Sequence, residues 1–387
     1  MQQVNQRDQS KDLIWLEVSR GAFSHNLRTI KNITGDDVKI AACIKGNAYG
    51  HGLVQSARVL QELGVDWLCV FNPDEVLALR AEGITLPVLI LGYVPGNRML
   101  EMVQAQATLL LSDVESAQAL SEASVQVGKT TQVHVKLDSG LSRYGVRQEE
   151  FIDFARRVSS LPCIEVTGVA THFATSDAQG ENTYFHDQLE LFEHMLTSLS
   201  EEGITPEIRH AANSAAVLRY PESHLDMVRP GRALYGYFPR PDDVQSYREQ
   251  GMELKQVLRV KTRVTHLKKV PKGTAVSYGC TYVTERESIL AVLPVGYADG
   301  YSRFLSNCGN VLVQGKRAPI RGKVSMNVTI VDVTDIPGVE VGDEVVLLGS
   351  QGDENISTYE MAELCMQTLP YNIITAFQET LPRYLVE

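Results

Sequence analysis

The fold turns on residues 39–70, KIAACIKGNAYGHGLVQSARVLQELGVDWLCV. The run 39–44 is small and apolar, without the polar alternation of a strand that has one wet face. It reads as a strand covered on both sides. A turn rich in glycine follows. From Leu53 to Leu63 apolar residues return at three- and four-residue intervals with polar residues between, the period of a helix packed on one side. A second apolar run, 67–70, then repeats the first. Strand, helix, strand in this spacing is a parallel crossover unit.

The unit recurs along the chain. Further apolar runs lie at 87–91, 108–111, 132–137, 165–170, 207–210 and 226–229, with helical periods at 73–82, 114–127, 151–159 and 183–202. Eight such strands predict a (β/α)8, TIM-like barrel of α/β class. A doubly wound open sheet would start with a G-x-G-x-x-G phosphate turn, and the chain has none. Residues 13–18 read as an extra strand before the barrel and 24–33 as a helix. After residue 250 the pattern becomes β-rich runs at 256–266, 288–292, 309–313, 328–333 and 344–347. Pro271-Lys272-Gly273, Asn307-Cys308-Gly309 and Pro337-Gly338 punctuate them, as in a C-terminal, mainly antiparallel β domain. The polar stretch 239–251 marks the boundary. The expected organisation is a flexible tail at 1–12, the barrel at 13–245 and the β domain at 246–387.

Composition agrees with this. The chain has 387 residues, 44% hydrophobic and 21% charged, with a net charge of −11. That is the length of about two domains and an ordinary globular balance. Acidity argues against a nucleic-acid partner, since a protein gripping phosphate backbones is usually basic. No apolar run reaches the ~18 residues of a membrane span. The six cysteines form no CxxC pair and no metal-ligand spacing, so no metal is expected and they read as reduced thiols. The polar start, without an apolar signal core, predicts a cytoplasmic protein.

In a β/α barrel the site is built where the strands end. The first strand delivers Lys45-Gly46-Asn47-Ala48-Tyr49-Gly50-His51-Gly52. A lysine capping a buried strand is desolvated, which favours the free amine that a Schiff base needs. The glycines and Asn47 let a ligand approach the backbone closely. Other strand ends deliver Asp138-Ser139-Gly140-Leu141-Ser142-Arg143, Thr171-His172-Phe173-Ala174, Ala212-Asn213-Ser214 and Arg229-Pro230-Gly231-Arg232. Cationic and polar groups gathered at one barrel mouth describe an anion site with a reactive amine.

The motif at 45–52 resembles the pyridoxal-phosphate lysine motif of alanine racemases, whose usual form is K-A-N-A-Y-G-H-G. The resemblance runs from about Ile14 to Arg383. It takes in Leu137-Asp138-Ser139-Gly140, Val228-Arg229-Pro230-Gly231, Val276-Ser277-Tyr278-Gly279 and Pro294-Val295-Gly296-Tyr297-Ala298-Asp299-Gly300. It implies pyridoxal 5'-phosphate as cofactor and interconversion of L- and D-alanine, supplying D-alanine as a cell-wall (peptidoglycan) precursor. It also implies a homodimer with active sites shared between subunits, a small amino-acid substrate, and no nucleic-acid or membrane partner.

Residue by residue, the resemblance makes Lys45 the cofactor's attachment point and one catalytic base. Tyr278, from a second subunit, is the other base, with His172 as the neighbour that eases its ionisation. Arg229 faces the pyridine nitrogen. Tyr49, Ser214, Gly231 and Arg232 surround the phosphate, and Asn213 and His172 count among the cofactor-binding residues. Arg143 holds the cofactor hydroxyl and the substrate carboxylate, and Met326 offers that carboxylate a backbone amide. Asp177, Tyr297 and Arg303 line the entry corridor, and Lys136 matches a lysine that some members carry as a carbamate. Two positions depart from the family: Asn327 stands where Asp is usual, and Glu379 stands where a tyrosine is expected. They open the alternative of a broader-specificity racemase acting on serine or basic amino acids. A pyridoxal-phosphate amino-acid decarboxylase would carry Glu in place of Arg229. A non-enzymatic pyridoxal-phosphate binding protein would have no use for Ser277-Tyr278.

Overall fold

The computed structural model describes residues 9–366 and 369–387. Of the expected tail, residues 1–8 lie outside the described residues and Gln9–Lys11 forms a 3-10 turn. The chain divides into two compact units. One comprises residues 23–48 and 53–255, and the other, as described, residues 9–22, 49–52, 256–366 and 369–387.

The first unit is the barrel. After β1 (Ile14–Ser19), which belongs to the other unit, its strands are β2 (Lys39–Cys43), β3 (Trp67–Val70), β4 (Val88–Ile90), β5 (Ala107–Leu111), β6 (Thr131–Lys136), β7 (Ile164–Ala170), β8 (Ile208–His210) and β9 (Met227–Val228). They are all parallel, in the order β8-β7-β6-β5-β4-β3-β2-β9. An isolated parallel bridge from Asn213 to Arg229, just beyond β8 and β9, brings the ring nearly to closure. β2, β3 and β4 are almost wholly buried, which is why they read as unbroken apolar runs. The helices start and stop on local signals. Asn72 and Glu75 form a capping box at the head of Pro73–Ala81, with Pro73 in its first turn. Asp113 caps Val114–Val127, and left-handed Gly128 ends it.

The second unit holds a mainly antiparallel sheet in the order Lys316–Pro319, Asn310–Val313, Glu344–Gln351, Leu258–Arg263, β1, Arg383–Val386. Only β1 and Arg383–Val386 run parallel to each other within it. A three-stranded sheet sets Ser288–Leu293 between His266–Val270 and Thr329–Asp332. Two differences from the sequence reading follow from strand pairing. The expected run 256–266 is broken at Val264 and Thr265, because Leu258–Arg263 pairs with β1 and His266–Val270 pairs in the other sheet. β1 joins the second unit because its backbone bonds go to Leu258–Arg263 and Arg383–Val386. The division near 255 lies ten residues beyond the expected boundary, with the helix Val244–Glu249 on the barrel side. Among the described residues, no helix is long and apolar enough to cross a membrane.

Candidate active site

Lys45 leaves the end of β2 into a turn that coils the wrong way. Gly46, Asn47, Ala48 and Tyr49 all have φ between 53° and 63°. Three of them carry a Cβ, and each such residue costs about 1–2 kcal/mol in this left-handed conformation. Specific bonds hold the turn. The Asn47 side chain accepts from Leu53 N at 2.8 Å, and Ala48 N donates to Ile44 O at 2.8 Å. The Glu75 carboxylate accepts from Gly46 N at 2.7 Å. Among the described residues the Lys45 amine has no hydrogen bond or ion pair; it faces the Phe71 ring, 5.9 Å from the centroid.

Arg229, 5% exposed, follows β9, the strand paired with β2, at the same barrel mouth. Its guanidinium donates to Thr171 O at 2.8 Å, to Ala211 O at 3.1 Å, to His172 Nδ1 at 3.3 Å and to His210 Nδ1. An arginine only donates, so these contacts fix a chain of tautomers. His210 accepts at Nδ1 and carries its proton on Nε2, which lies 2.8 Å from His134 Nδ1. His134 therefore accepts there and carries its own proton on Nε2, which is buried without a hydrogen-bond partner. Burial, reinforced by the Arg229 charge, pushes His134 down to about 3 and His210 well below the usual histidine range. Both stay neutral, so Arg229 is the permanent cation of the cluster. Space for the His134 ring comes from Gly168 on β7, where a Cβ would stand 2.3–2.5 Å from three ring atoms.

Lys136, at the end of β6, is 6% exposed. Desolvation first, then the charges of Arg229 and Arg143, pushes its ammonium down to about 7, while Asp138 pulls weakly the other way. Arg143 stands exposed on the lobe after β6. Asp138 shapes that lobe by accepting from Gly140 N and Ser142 N at 3.0 Å each. His172 is neutral because burial and the neighbouring cations disfavour its charge. Ser214 Oγ is buried and accepts from Gly231 N at 2.8 Å and Ala233 N at 3.3 Å. Asn213 caps the short helix Ser214–Arg219. Asp177 pairs with Arg232 at 2.9 Å. The barrel unit thus brings together Lys45, Lys136, Arg143, His172, Asn213, Ser214, Arg229, Gly231 and Arg232.

The remaining candidates belong to the other unit. Tyr49 lies in its segment 49–52. Tyr278 is 73% exposed on a turn entered through Ser277, at φ 62°. Ser277 Oγ donates to Lys323 O at 2.7 Å, and Gly322 leaves the room in which Ser277 packs. Gly296 similarly admits the backbone of Ser325 and Met326, to which Tyr297 N and Ala298 N donate. Arg303 stacks 5.8 Å from the Tyr297 ring centroid. Tyr278, Tyr297, Phe304 and Met326 are all exposed on this unit. Asn327 is exposed as well, and Glu379 is exposed in the turn before Arg383–Val386, where its charge acts on Arg383. Glu75, His134 and His210 were not singled out by the sequence reading. Histidines inside apolar strand runs, as in Val133-His134-Val135, were the available signal.

Arg229, Arg143 and Lys45 all act as cations on Lys136 against one carboxylate, Asp138. That imbalance at a buried site fits an anionic ligand such as a phosphate, and the unpaired Lys45 amine fits an aldehyde-bearing one. A β/α barrel with an amine and a caged cation at its mouth, joined to an antiparallel β unit, defines the barrel class of pyridoxal-phosphate enzymes. The alanine racemase N-terminal domain matches residues 18–239 and its C-terminal domain matches residues 257–385. Alanine racemase from Halothermothrix orenii is 41% identical over 369 residues, covering 95% of this chain and 96% of its own. The solved alanine racemase of Clostridium difficile 630 superposes with a TM-score of 0.92 at 33% identity, covering 97% and 96%. Histidine racemase from Leuconostoc mesenteroides is also similar, at TM-score 0.87 and 29% identity over 97% and 99%. The chain belongs to the alanine racemase family.

Proposed function

We propose that this protein interconverts L- and D-alanine by a two-base mechanism with pyridoxal 5'-phosphate, and that the D-alanine serves cell-wall synthesis. The observation that carries this reading is the barrel mouth: an unpaired Lys45 amine and, on the neighbouring strand end, an Arg229 held as a donor by neutral His210. When bound, pyridoxal phosphate supplies the electron-withdrawing ring that makes the substrate α-hydrogen acidic. Ser214 Oγ, Asn213 and the Gly231 and Arg232 backbone are suited to its phosphate, together with the Tyr49 hydroxyl. Arg229 would face the ring nitrogen and keep its own proton, since guanidinium is a far weaker acid than pyridinium. Arg143 and the Met326 amide hold the substrate carboxylate, and Lys136, as amine or carbamate, orients Arg143.

The Lys45 amine moves a proton on one face of the substrate carbon. Inversion needs a second base on the other face, and Tyr278 takes that role from a second copy of the chain. A free tyrosine ionises near 10. Because Arg229 donates to His172 Nδ1, His172 keeps a proton on Nε2 that can stabilise the Tyr278 oxygen as it ionises. The exposed Tyr278, Tyr297, Phe304 and Met326 support a homodimer with shared sites, in which Asp177, Tyr297 and Arg303 line the way in. Six free cysteines, three of them buried, support a reducing, cytoplasmic setting.

A second reading, wider substrate range, rests on Asn327 and on the likeness to a histidine racemase. The test of both is α-deuterium wash-in in D2O for alanine, serine, histidine, lysine and arginine. Alanine should lead in kcat/KM, and Lys45→Ala should abolish exchange. Exchange with none of the five amino acids refutes the racemase reading.

A further inference from the structure

Glu75 is 9% exposed, and among the described residues it has no ion-pair partner. A buried carboxylate without a counter-cation is costly unless its oxygens are hydrogen-bonded. Here both are, and by backbone alone. One accepts from Gly46 N at 2.7 Å, and the other accepts from Phe71 N at 2.7 Å and Asn72 N at 3.3 Å. The capping box of the helix Pro73–Ala81 accounts only for the longest of the three, the bond from Asn72. The two short bonds go elsewhere. One reaches the peptide that follows Lys45, at the first residue of the left-handed turn 46–49. The other holds Phe71, whose ring the Lys45 amine faces. A glutamine in this place would satisfy the helix but could present only one acceptor oxygen.

We propose that Glu75 is a positioning residue for Lys45: its carboxylate clamps the ends of β2 and β3 together, holds the left-handed turn closed and so aims the Lys45 amine. The turn is strained at Asn47, Ala48 and Tyr49 and persists only where its surroundings over-determine it. The inference rests on the reading of Lys45 as the reactive amine, so the experiment reports on that separately.

Protein stripped of cofactor is mixed with pyridoxal phosphate and trapped with borohydride, and the labelled lysine is mapped by mass spectrometry against time. In parallel, kcat and KM for alanine are measured on the loaded enzyme. Label absent from Lys45 in the wild type refutes the Lys45 reading. With Lys45 labelled in the wild type, Glu75→Gln should slow its labelling and lower kcat by about ten- to a hundredfold, with KM changed less than about threefold. Asn72→Ala is the control. It removes the cap to Glu75 N, 3.0 Å long, leaves the carboxylate on Gly46, and should keep labelling and kcat within about threefold of wild type. Glu75→Asp keeps the charge, loses the reach to Gly46, and should behave as Glu75→Gln does. Wild-type labelling and kcat in Glu75→Gln overturn the proposal, as does an equal loss in Asn72→Ala. If neither Glu75 variant folds while Asn72→Ala does, the carboxylate is structural only and the proposal also fails.

Discussion

Gly168→Ala tests the histidine chain beneath Arg229. Gly168 faces His134 across the β6–β7 pair, and an added Cβ would lie 2.3 Å from Cδ2, 2.4 Å from Cγ and 2.5 Å from Nε2 of that ring. Ordinary contact begins near 3.4 Å, so the ring or the strand must give by about 1 Å. A shift of that size breaks the 2.8 Å bond to His210. Overpacking costs about 1–3 kcal/mol, and a buried polar group left unsatisfied costs about 1–3 kcal/mol more. The sum, about 2–6 kcal/mol, is large beside the whole stability of a domain. Denaturant melts followed by circular dichroism should show it as a lower midpoint. The cause is isolated by the pair: with His134→Ala already in place the clash is gone, so adding Gly168→Ala should cost less than about 0.5 kcal/mol. Equal costs of Gly168→Ala in both backgrounds would refute the packing argument.

Tyr278→Phe should lower turnover by about 10²–10⁴, the range of a lost general base. Mixing it with Lys45→Ala should recover part of the activity if subunits exchange and sites are shared; proven exchange without recovery counts against sharing. Ser214→Ala removes the oxygen that orders Gly231 N and Ala233 N and should weaken cofactor binding about tenfold, read by absorbance titration; unchanged affinity removes Ser214 from the phosphate site. Lys136 gives up its proton near pH 7 when folded and near 10.4 when unfolded. Unfolding therefore takes up a proton between those values, so this residue's contribution to stability rises with pH across that window and is flat below it. Lys136→Met should raise stability most at or below pH 7 and flatten the rise toward pH 10. Parallel curves for the two proteins would show that Lys136 is not the titrating group.

Legibility followed burial. β3 and the helix Val114–Val127 match the sequence reading residue for residue. A strand covered on both faces, or a helix with a cap and a terminal glycine, writes its own boundaries. The turn 46–49 is not legible in detail because its handedness is imposed from outside, by Glu75 on Gly46 N and by Leu53 N on the Asn47 side chain. Local propensity reserves positive φ for glycine, and Ala48 and Tyr49 break that rule. The break at Val264 and Thr265 was hidden for a different reason. The chain changes sheets there without a glycine or proline anywhere between Leu258 and Val270 to mark the break. Lys45, Arg229 and Tyr278 were found through motif resemblance, whereas His134 and His210 sat within runs whose apolar character had already been explained.

The place of β1 has a consequence for the order of events during synthesis. It leaves the ribosome before any barrel strand, yet its hydrogen-bonding neighbours are Leu258–Arg263 and Arg383–Val386. At about 5–20 residues per second, the later of these arrives roughly 20–70 s after β1 itself. The barrel strands, each bonded to neighbours near in sequence, can pair meanwhile. Both edges of β1 stay open until Leu258–Arg263 is made, and one stays open until the last strand follows. A nascent chain stalled before Leu258 therefore displays an aggregation-prone strand with neither partner made, open to chaperones and proteases.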